Sequence, residues 1–162
     1  MCGITGLWAR ADSPAENLEK TAGAMATALA HRGPDDSGLW SDPAARVAFG
    51  QCRLSIIDIS PAGHQPMLSP DGRYAVSYNG EVYNFQELRA ELEPAGFSFK
   101  GGSDTEVVLA ACVHWGVEEA VRRFIGMFAL AFWDGENRTM SLVRDRLGIK
   151  PLYYGWAGGD FI

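Results

Sequence analysis

The order of the apolar segments restricts the fold of this chain more than any other feature. Apart from one early helical stretch, strand-like apolar runs come first, helical spacing follows, and strand-like runs return near the end. In the early stretch, Leu18, Ala22, Met25 and Leu29 recur at the three- and four-residue spacing of one helix face. Because strands and helices each bury one face, this order favours layered sheets covered by helices.

Turn and capping residues mark the boundaries of these elements. We predict strands at residues 3–9, 46–58, 73–79, 97–100, 127–133, 139–145 and 152–156, with another beginning at 160–162. We predict helices that begin at capping boxes over Ser13–Glu16, Asn84–Glu87 and Ser103–Glu106, and a fourth over roughly 117–124. The polar residues 134–137 between two apolar runs predict a hairpin.

Composition narrows the classes of function. The chain has 162 residues, 47% hydrophobic and 21% charged, which is the balance of one globular domain. Its 19 glycines and 8 prolines together make up about 17% of the 162 residues. The usual combined share is about 12%, so the composition indicates a turn-rich fold. A net charge of −6 argues against nucleic acid and anionic membranes as partners. No apolar run reaches the ~18 residues of a transmembrane helix.

The cysteines indicate a reducing compartment. Cys2, Cys52 and Cys112 cannot all pair with one another, and none has metal-ligand spacing. No basic segment followed by an apolar segment opens the chain, so we predict no signal peptide. We therefore expect a cytoplasmic protein with free thiols and no bound metal, in which Cys52 and Cys112 are core residues.

Cys2 is the most informative candidate for chemistry. Removal of Met1 would give this residue a thiol, whose thiolate is a nucleophile. It would also give a free α-amine with a pKa of about 7.7–8.0, which can accept a proton near neutral pH. One residue would then supply nucleophile and base, as in other N-terminal nucleophiles. Taken alone, however, an unpaired cysteine more often has no catalytic role.

Asn79 and Gly80 follow a predicted strand, where we expect the chain to turn. Asn-Gly is the commonest turn dipeptide, so a plain β-turn is the simpler interpretation. The functional alternative is an oxyanion hole, in which the Asn79 side-chain amide and the Gly80 backbone N–H converge on a developing negative charge.

Arg53 and Asp104 form a separated pair of opposite charges, one ending a strand and the other beginning a helix. A guanidinium suits the α-carboxylate of an amino acid, and a carboxylate suits its α-ammonium. The simpler interpretation is a solvated arginine and an acid favoured by the helix dipole.

Other clusters carry weaker signals. We expect the three histidines to pack or hydrogen-bond rather than to bind metal, namely His31, His64 and His114. Three basic residues are expected to form a solvated face or structural ion pairs, namely Arg144, Arg146 and Lys150. We predict that the aromatic residues of 128–134 and 151–156 lie in the core of the sheets.

Several stretches that span nearly the whole chain carry a resemblance to a known family. They are MCGITGLW at the start, HRGPDDSG at 31–38, RLSIID at 53–58, GHQPM at 63–67, YNGEVYN at 78–84, GSDTE at 102–106, GMFALAFWD at 126–134 and RDRLGIKPLYYG at 144–155. Together they resemble the glutamine amidotransferase domain of glutamine-hydrolysing asparagine synthetases. They are less similar to the amidotransferases that make glucosamine phosphate, phosphoribosylamine or glutamate.

The resemblance implies an N-terminal nucleophile hydrolase fold. This is an α+β, four-layer αββα sandwich of two mainly antiparallel sheets, and residues 1–162 would form one class II glutamine amidotransferase domain. It implies that Cys2 is the nucleophile once Met1 is removed, and that Asn79 and Gly80 form the oxyanion hole.

The same resemblance implies a set of glutamine-binding residues. Arg53 would hold the α-carboxylate of the substrate and Asp104 its α-ammonium. The backbone around Ile57, Gly80 and Glu81 would also line the glutamine pocket.

The implied activity is hydrolysis of L-glutamine to glutamate and ammonia through a Cys2 thioester. The ammonia would pass to an ATP-dependent synthetase domain on the same chain, which makes asparagine from aspartate. That domain, absent from these 162 residues, would use ATP and magnesium, whereas this domain would need no cofactor. The oligomeric state stays open, with a homodimer among the alternatives.

Three alternatives remain at this point. Related enzymes with this domain form other amides, for example on sugar acids of surface polysaccharides. An acylase or amidase with the same fold would take a different acyl substrate, although Arg53 and Asp104 suit a free amino acid. A non-catalytic module would serve only as a partner surface, and retention of Met1 would favour it.

Overall fold

The computed structural model describes residues 2–11 and 17–162. The strands are β1 (Gly3–Trp8), β2 (Asp36–Asp42), β3 (Val47–Arg53), β4 (Met67–Leu68), β5 (Tyr74–Val82), β6 (Gly126–Asp134), β7 (Thr139–Arg144), β8 (Trp156–Ala157) and β9 (Asp160–Phe161). The helices are α1 (Leu18–Ala28), α2 (Phe85–Leu92), α3 (Asp104–Trp115) and α4 (Val117–Arg123), with single 3₁₀ turns at Ala30–Arg32 and Pro61–Gly63.

These strands form two antiparallel sheets that are stacked between helices. Sheet A has the order β2-β3-β1-β9-β8, and sheet B has the order β4-β5-β6-β7. The apolar face of α1 packs on sheet A, while α2, α3 and α4 pack with sheet B around the largest core cluster. A third cluster, which includes Phe49 of β3 and Trp133 of β6, lies between the sheets. The layers confirm the predicted α+β, four-layer αββα sandwich.

Strand pleating decides which side chains lie between the sheets. Successive side chains in a strand point to opposite faces. In β3, the Cys52 thiol donates to a carbonyl oxygen of α1 at 3.1 Å, whereas Gln51 accepts a 2.5 Å hydrogen bond from Ser77 of β5. The inner face of β3 therefore includes Gln51 and Arg53, and the inner face of β5 includes Ser77 and Asn79.

Three of the predicted strands were wrong in whole or in part. Residues 54–58 lie outside β3 because the neighbouring strands β1 and β2 begin at Gly3, opposite Cys52, and at Asp36, opposite Arg53. Within the described ranges, no strand therefore pairs with residues 54–58. Residues 97–100 and 152–155 lie outside strands, and only β8 remains of the predicted 152–156 strand. β2 is a further strand that was not predicted, because it lies at a sheet edge without clear alternation and its pairing with β3 decides its conformation.

The capping predictions had mixed outcomes. Ser103 caps α3 by accepting from the Thr105 N–H at 3.1 Å, but Glu106 does not complete the box and instead accepts from two loop N–H groups. Asn84 makes no cap hydrogen bond. Its amide instead donates to the Arg123 carbonyl and accepts from the Ile125 N–H, because tertiary packing brings the end of α4 beside it. The predicted cap at Ser13–Glu16 lies outside the described residues.

The aromatic residues divide into two groups. Phe128, Phe132 and Trp133 are buried as predicted. The prediction for 151–156 was wrong, since Tyr153 is 90% exposed and Trp156 is 77% exposed. Tyr153 follows the last strand of sheet B, and Trp156 lies in β8, the short strand at the edge of sheet A, where few of the described elements cover either side chain. Among the described residues, no helix combines the length and apolarity needed to cross a membrane.

Candidate functional site

The inner faces of the two sheets meet at one cavity. Cys2 directly precedes β1, Arg53 ends β3, and Asn79 lies in β5. The cavity has a volume of about 410 Å³, within the usual range of about 300–1,000 Å³ for small-molecule sites. Every site residue predicted from the sequence lines it, namely Cys2, Arg53, Ile57, Asn79, Gly80, Glu81 and Asp104. The fold thus brings together residues from the full span of positions 2–104.

Cys2 presents a half-buried thiol to this cavity. Its Sγ accepts from the Leu54 N–H at 3.4 Å, and its carbonyl oxygen accepts from Arg32 at 3.2 Å. These contacts fix the residue at the point where β1 begins. The α-amine that we predict as the base exists only after removal of Met1, which lies outside the described residues. Cys52 and Cys112 are core residues as predicted.

Asn79 and Gly80 lie within β5, so the prediction that the chain turns here was wrong. They pair with Ala129 and Phe128 of β6, because β6 continues alongside β5 and keeps it extended. Glycine is required at position 80 for space, since a Cβ there would overlap the Met127 carbonyl and the Phe128 backbone. We find no hydrogen-bond partner for the Asn79 side-chain amide among the described residues.

The open edge of β5 presents the Gly80 N–H to the cavity. Successive N–H groups of a strand point to opposite edges. The N–H groups of Tyr78 and Val82 point away from β6, to Gln65 at 2.8 Å and to Asp104 at 3.0 Å respectively. The Gly80 N–H lies between them and points to the same edge. Since β4 pairs with Ala75 and Val76, no strand among the described residues covers this N–H.

Arg53 is held at the cavity wall by main-chain carbonyls. Its guanidinium donates to the Ser60 oxygen at 3.1 Å and to the Asp58 oxygen. Gly63 lies directly against the guanidinium, so closely that a Cβ at that position would overlap it. These carbonyl acceptors carry no charge of their own, and they orient the guanidinium in a site where the residue is only 7% exposed.

Asp104 opposes Arg53 from the first turn of α3. Its Oδ2 accepts from the Tyr78 hydroxyl at 2.7 Å and from the Val82 N–H at 3.0 Å. Both hydrogen bonds use the same oxygen, which leaves Oδ1 for a ligand. Burial raises the pKa of Asp104 above its ordinary value of 3.8, and the two hydrogen bonds oppose that shift.

The raised pKa of Asp104 predicts pH-dependent binding of an amino-acid ligand. An ordinary aspartate has a pKa of 3.8, and Asp104 takes up its proton at a higher pH than that. Once protonated, Asp104 no longer attracts an ammonium group. We expect the affinity for L-glutamine, the ligand that the resemblance implies, to fall with a midpoint above that value. Calorimetry between pH 4 and 7 on a Cys2→Ala protein, which lacks the predicted nucleophile, measures it.

Adding Asp104→Asn to the Cys2→Ala protein provides the control. This double variant is expected to bind glutamine weakly at every pH, without the midpoint. If its affinity retains the same pH dependence, another group is responsible for the titration.

The structure adds lining residues that sequence analysis did not identify as site residues, including Gln65, Tyr78, Ser103, Thr105, Met127 and Lys150. Gln65 accepts from the Tyr78 N–H and donates to the Thr105 hydroxyl at 3.4 Å. The resemblance did include Gln65 within GHQPM and Tyr78 within YNGEVYN. Nothing in those stretches indicated that the two residues bond to each other, since that contact depends on the packing of β5.

The weaker candidates have mostly structural contacts. His64 pairs with Asp36 at 2.8 Å, and His114 packs against two aromatic rings, both as predicted. Arg144 and Arg146 are exposed, as the predicted solvated face requires, and both donate to main-chain carbonyls. Lys150 is buried rather than solvated. Among the described residues, no cluster of His, Cys, Asp and Glu has the geometry of a metal site.

Comparison with known proteins shows the family. The model of the glutamine amidotransferase domain matches residues 1–162. Asparagine synthetase (glutamine-hydrolysing) 3 of Bacillus subtilis is 40% identical over 164 residues, which cover 100% of this chain and 26% of that protein. Asparagine synthetase (glutamine-hydrolysing) 1 of the same organism is 42% identical over 155 residues, 95% of this chain and 24% of that protein. The chain thus spans about a quarter of the length of these curated relatives.

A solved structure shows that the fold is shared more widely. The glutamine phosphoribosylpyrophosphate amidotransferase from B. subtilis, complexed with ADP and GMP, superposes with a TM-score of 0.75 at 20% identity. The match covers 98% of this chain and 40% of that chain. Together with the two stacked antiparallel sheets, it supports the predicted N-terminal nucleophile hydrolase fold. From its family-model match and its identity to these relatives, the chain belongs to the glutamine amidotransferase domain family.

Proposed function

We propose that this domain hydrolyses L-glutamine to glutamate and ammonia. The observation that carries the proposal is the convergence on one cavity of a thiol, a guanidinium, a buried carboxylate and an amide that has no hydrogen-bond partner in the described part of the chain. The thiol can act as the nucleophile, and the guanidinium and carboxylate can bind the two charged groups of an amino acid. The amide can donate to the carbonyl oxygen of a substrate amide. The two relatives described above are named as glutamine-hydrolysing enzymes, which supports the same substrate.

Recognition of glutamine rests on its two charged groups. The Arg53 guanidinium attracts the α-carboxylate, and Oδ1 of Asp104 accepts from the α-ammonium. A ligand that lacks either group leaves a buried charge unpaired, which is costly. This requirement disfavours a general acylase or amidase, whose substrates need neither group.

The reaction then proceeds in two steps at Cys2. The Sγ thiolate attacks the side-chain carbonyl carbon of glutamine, and the resulting oxyanion accepts hydrogen bonds from the Asn79 amide and the Gly80 N–H. The α-amine of Cys2 takes the thiol proton and transfers it to the departing nitrogen, which leaves as ammonia. Water hydrolyses the γ-glutamyl thioester, releases glutamate and restores the thiol.

We further propose that the whole protein uses this ammonia to make asparagine. The relatives of which this chain spans about a quarter are named asparagine synthetases, so we propose a linked synthetase domain that binds ATP and magnesium and activates aspartate. We place the reaction in the cytoplasm because its nucleophile must remain a free thiol. Another acceptor, such as a sugar acid, would leave the chemistry of this domain unchanged.

The test is the intact mass before and after exposure to a diazoketone that mimics glutamine. We expect a species without Met1 that gains one adduct, mapped to Cys2, because the thiol attacks an electrophile bound in the glutamine position. Excess L-glutamine is expected to slow the labelling.

The other two cysteines serve as internal controls. Cys52 and Cys112 are buried, and burial raises the pKa of both thiols, so neither should gain an adduct. A species without Met1 that remains unlabelled at Cys2 would contradict the proposed function and favour a non-catalytic partner module.

A further inference from the structure

Two loops adjoin Arg53 and Asp104, and the carboxylate of Asp58 forms a hydrogen bond between these loops. The first loop, residues 54–63, follows Arg53 and returns beside its guanidinium. The second loop, residues 97–103, leads into Asp104. Asp58 belongs to the first loop, and its Oδ2 accepts from the Gly102 N–H of the second loop at 2.8 Å.

Asp58 makes contacts in three directions. Its backbone carbonyl accepts from the Arg53 guanidinium, and its Oδ1 accepts from the Ser60 N–H at 2.7 Å. Hydrogen bonds from Ser60 and then from Gly102 lower the pKa of Asp58 below 3.8. Asp58 therefore contacts Arg53 through its carbonyl oxygen, and its carboxylate contacts Gly102, which lies two positions before Asp104.

The packing at Gly101 shows that the two loops are built to meet. A Cβ on Gly101 would overlap Oδ2 of Asp58 and lie 2.7 Å from the Cβ of Ala62. Glycine is thus needed here because of the space that the first loop occupies.

The rest of the second loop is fixed from the helix side. Glu106 accepts from the Lys100 and Gly101 N–H groups at 2.9 and 2.7 Å, and Arg89 donates to the Gly101 oxygen at 3.0 Å. The second loop is thus attached to α2 and α3. Because Asp58 bonds to this loop, the contact also restrains the first loop, which surrounds the Arg53 guanidinium.

We propose that Asp58 is a positioning residue that sets the separation of Arg53 and Asp104 and thereby the affinity for the charged end of an amino acid. The proposal rests on the proposed function, because it assigns the α-carboxylate and α-ammonium to those two residues. Asp58 itself does not line the cavity, so its effect is exerted through Arg53 and through the loop before Asp104.

Protection of Cys2 from alkylation tests this role in the full protein. Iodoacetamide has no amino-acid group, so its rate with Cys2 reports the thiol alone, whereas protection by L-glutamate reports the charged subsite. In Asp58→Asn, one oxygen becomes an NH₂ that cannot accept. We expect the glutamate concentration for half protection to rise about tenfold, the scale of one lost charge-assisted hydrogen bond, with the unprotected rate unchanged.

The matched control is Asp71→Asn. Asp71 is also a loop carboxylate that accepts from a serine hydroxyl, at 2.5 Å, and from a backbone N–H, at 3.1 Å, but it lies before β5 and does not line the cavity. Its variant should be protected like the wild type. Gly101→Ala disturbs the same contact from the second loop with Asp58 intact, and it should reproduce the loss in Asp58→Asn.

Each outcome decides the proposal. Wild-type protection in Asp58→Asn would overturn it, and so would equal losses in the Asp71→Asn control. If Asp58→Asn does not fold, Gly101→Ala decides, and normal protection there would overturn the proposal. Failure of glutamate to protect the wild-type thiol would instead contradict the proposed function, and this inference with it.

Discussion

Replacing Cys2 with alanine is expected to abolish glutamine hydrolysis while the protein remains folded. Without Sγ no thioester can form, so we expect kcat to fall by at least about 10⁴-fold, as when other catalytic nucleophiles are removed. The residue is half-buried and precedes β1, so its loss should leave the core intact. Ammonia release measures the activity, and thermal unfolding measures the stability.

Cys112→Ala is the matched control for this change. Cys112 lies in the core against sheet B, where burial raises the pKa of its thiol to about 12. This variant should lose some stability and keep its turnover. Hydrolysis by the Cys2→Ala protein at a rate comparable with the wild type would remove Cys2 from the mechanism.

Replacing Asn79 with alanine is expected to lower kcat by about 10²–10³-fold, the usual cost of one oxyanion donor. The amide lies on the inner face of β5, beside the edge at which the Gly80 N–H is uncovered. Because the oxyanion exists only in the transition state and intermediate, KM should change much less than kcat. Steady-state kinetics with L-glutamine separates the two constants.

Asn137→Ala provides the comparison. The Asn137 amide donates a hydrogen bond to Asp134 at 2.8 Å, but it lies in the β6–β7 turn outside the cavity. Its loss should leave both kinetic constants unchanged. An Asn79→Ala effect confined to KM would assign that amide to substrate binding.

Elements with a strong local pattern were predicted well. The β6–β7 hairpin and helices α2, α3 and α4 all form close to their predicted positions, since apolar periodicity and turn residues act over a few neighbours. Segments whose conformation depends on distant partners were predicted less well. Residues 54–58 stop being a strand because β1 and β2 begin too late to pair with them.

The candidate site shows the same division. The types of its groups, a thiol at Cys2, a cation at Arg53 and an anion at Asp104, were recognisable from the sequence because their motifs are contiguous. Asn79 and Gly80 were predicted to belong to the site, and both line its cavity. Their predicted local structure, a turn, was wrong. Their place inside β5 follows from pairing with β6, which no nearby residue encodes.

The sequence by itself determined the layered α+β class, the family and the candidate groups, because these depend on local periodicity and on motifs of a few residues. Only the tertiary structure decided how those groups meet. Strand register put Arg53 and Asn79 on facing inner surfaces, and the open edge of β5 uncovered the Gly80 N–H. The contact between Asp58 and Gly102 joins residues 44 positions apart. Such contacts arise from the packing of whole elements, so the local pattern around either residue does not reveal them.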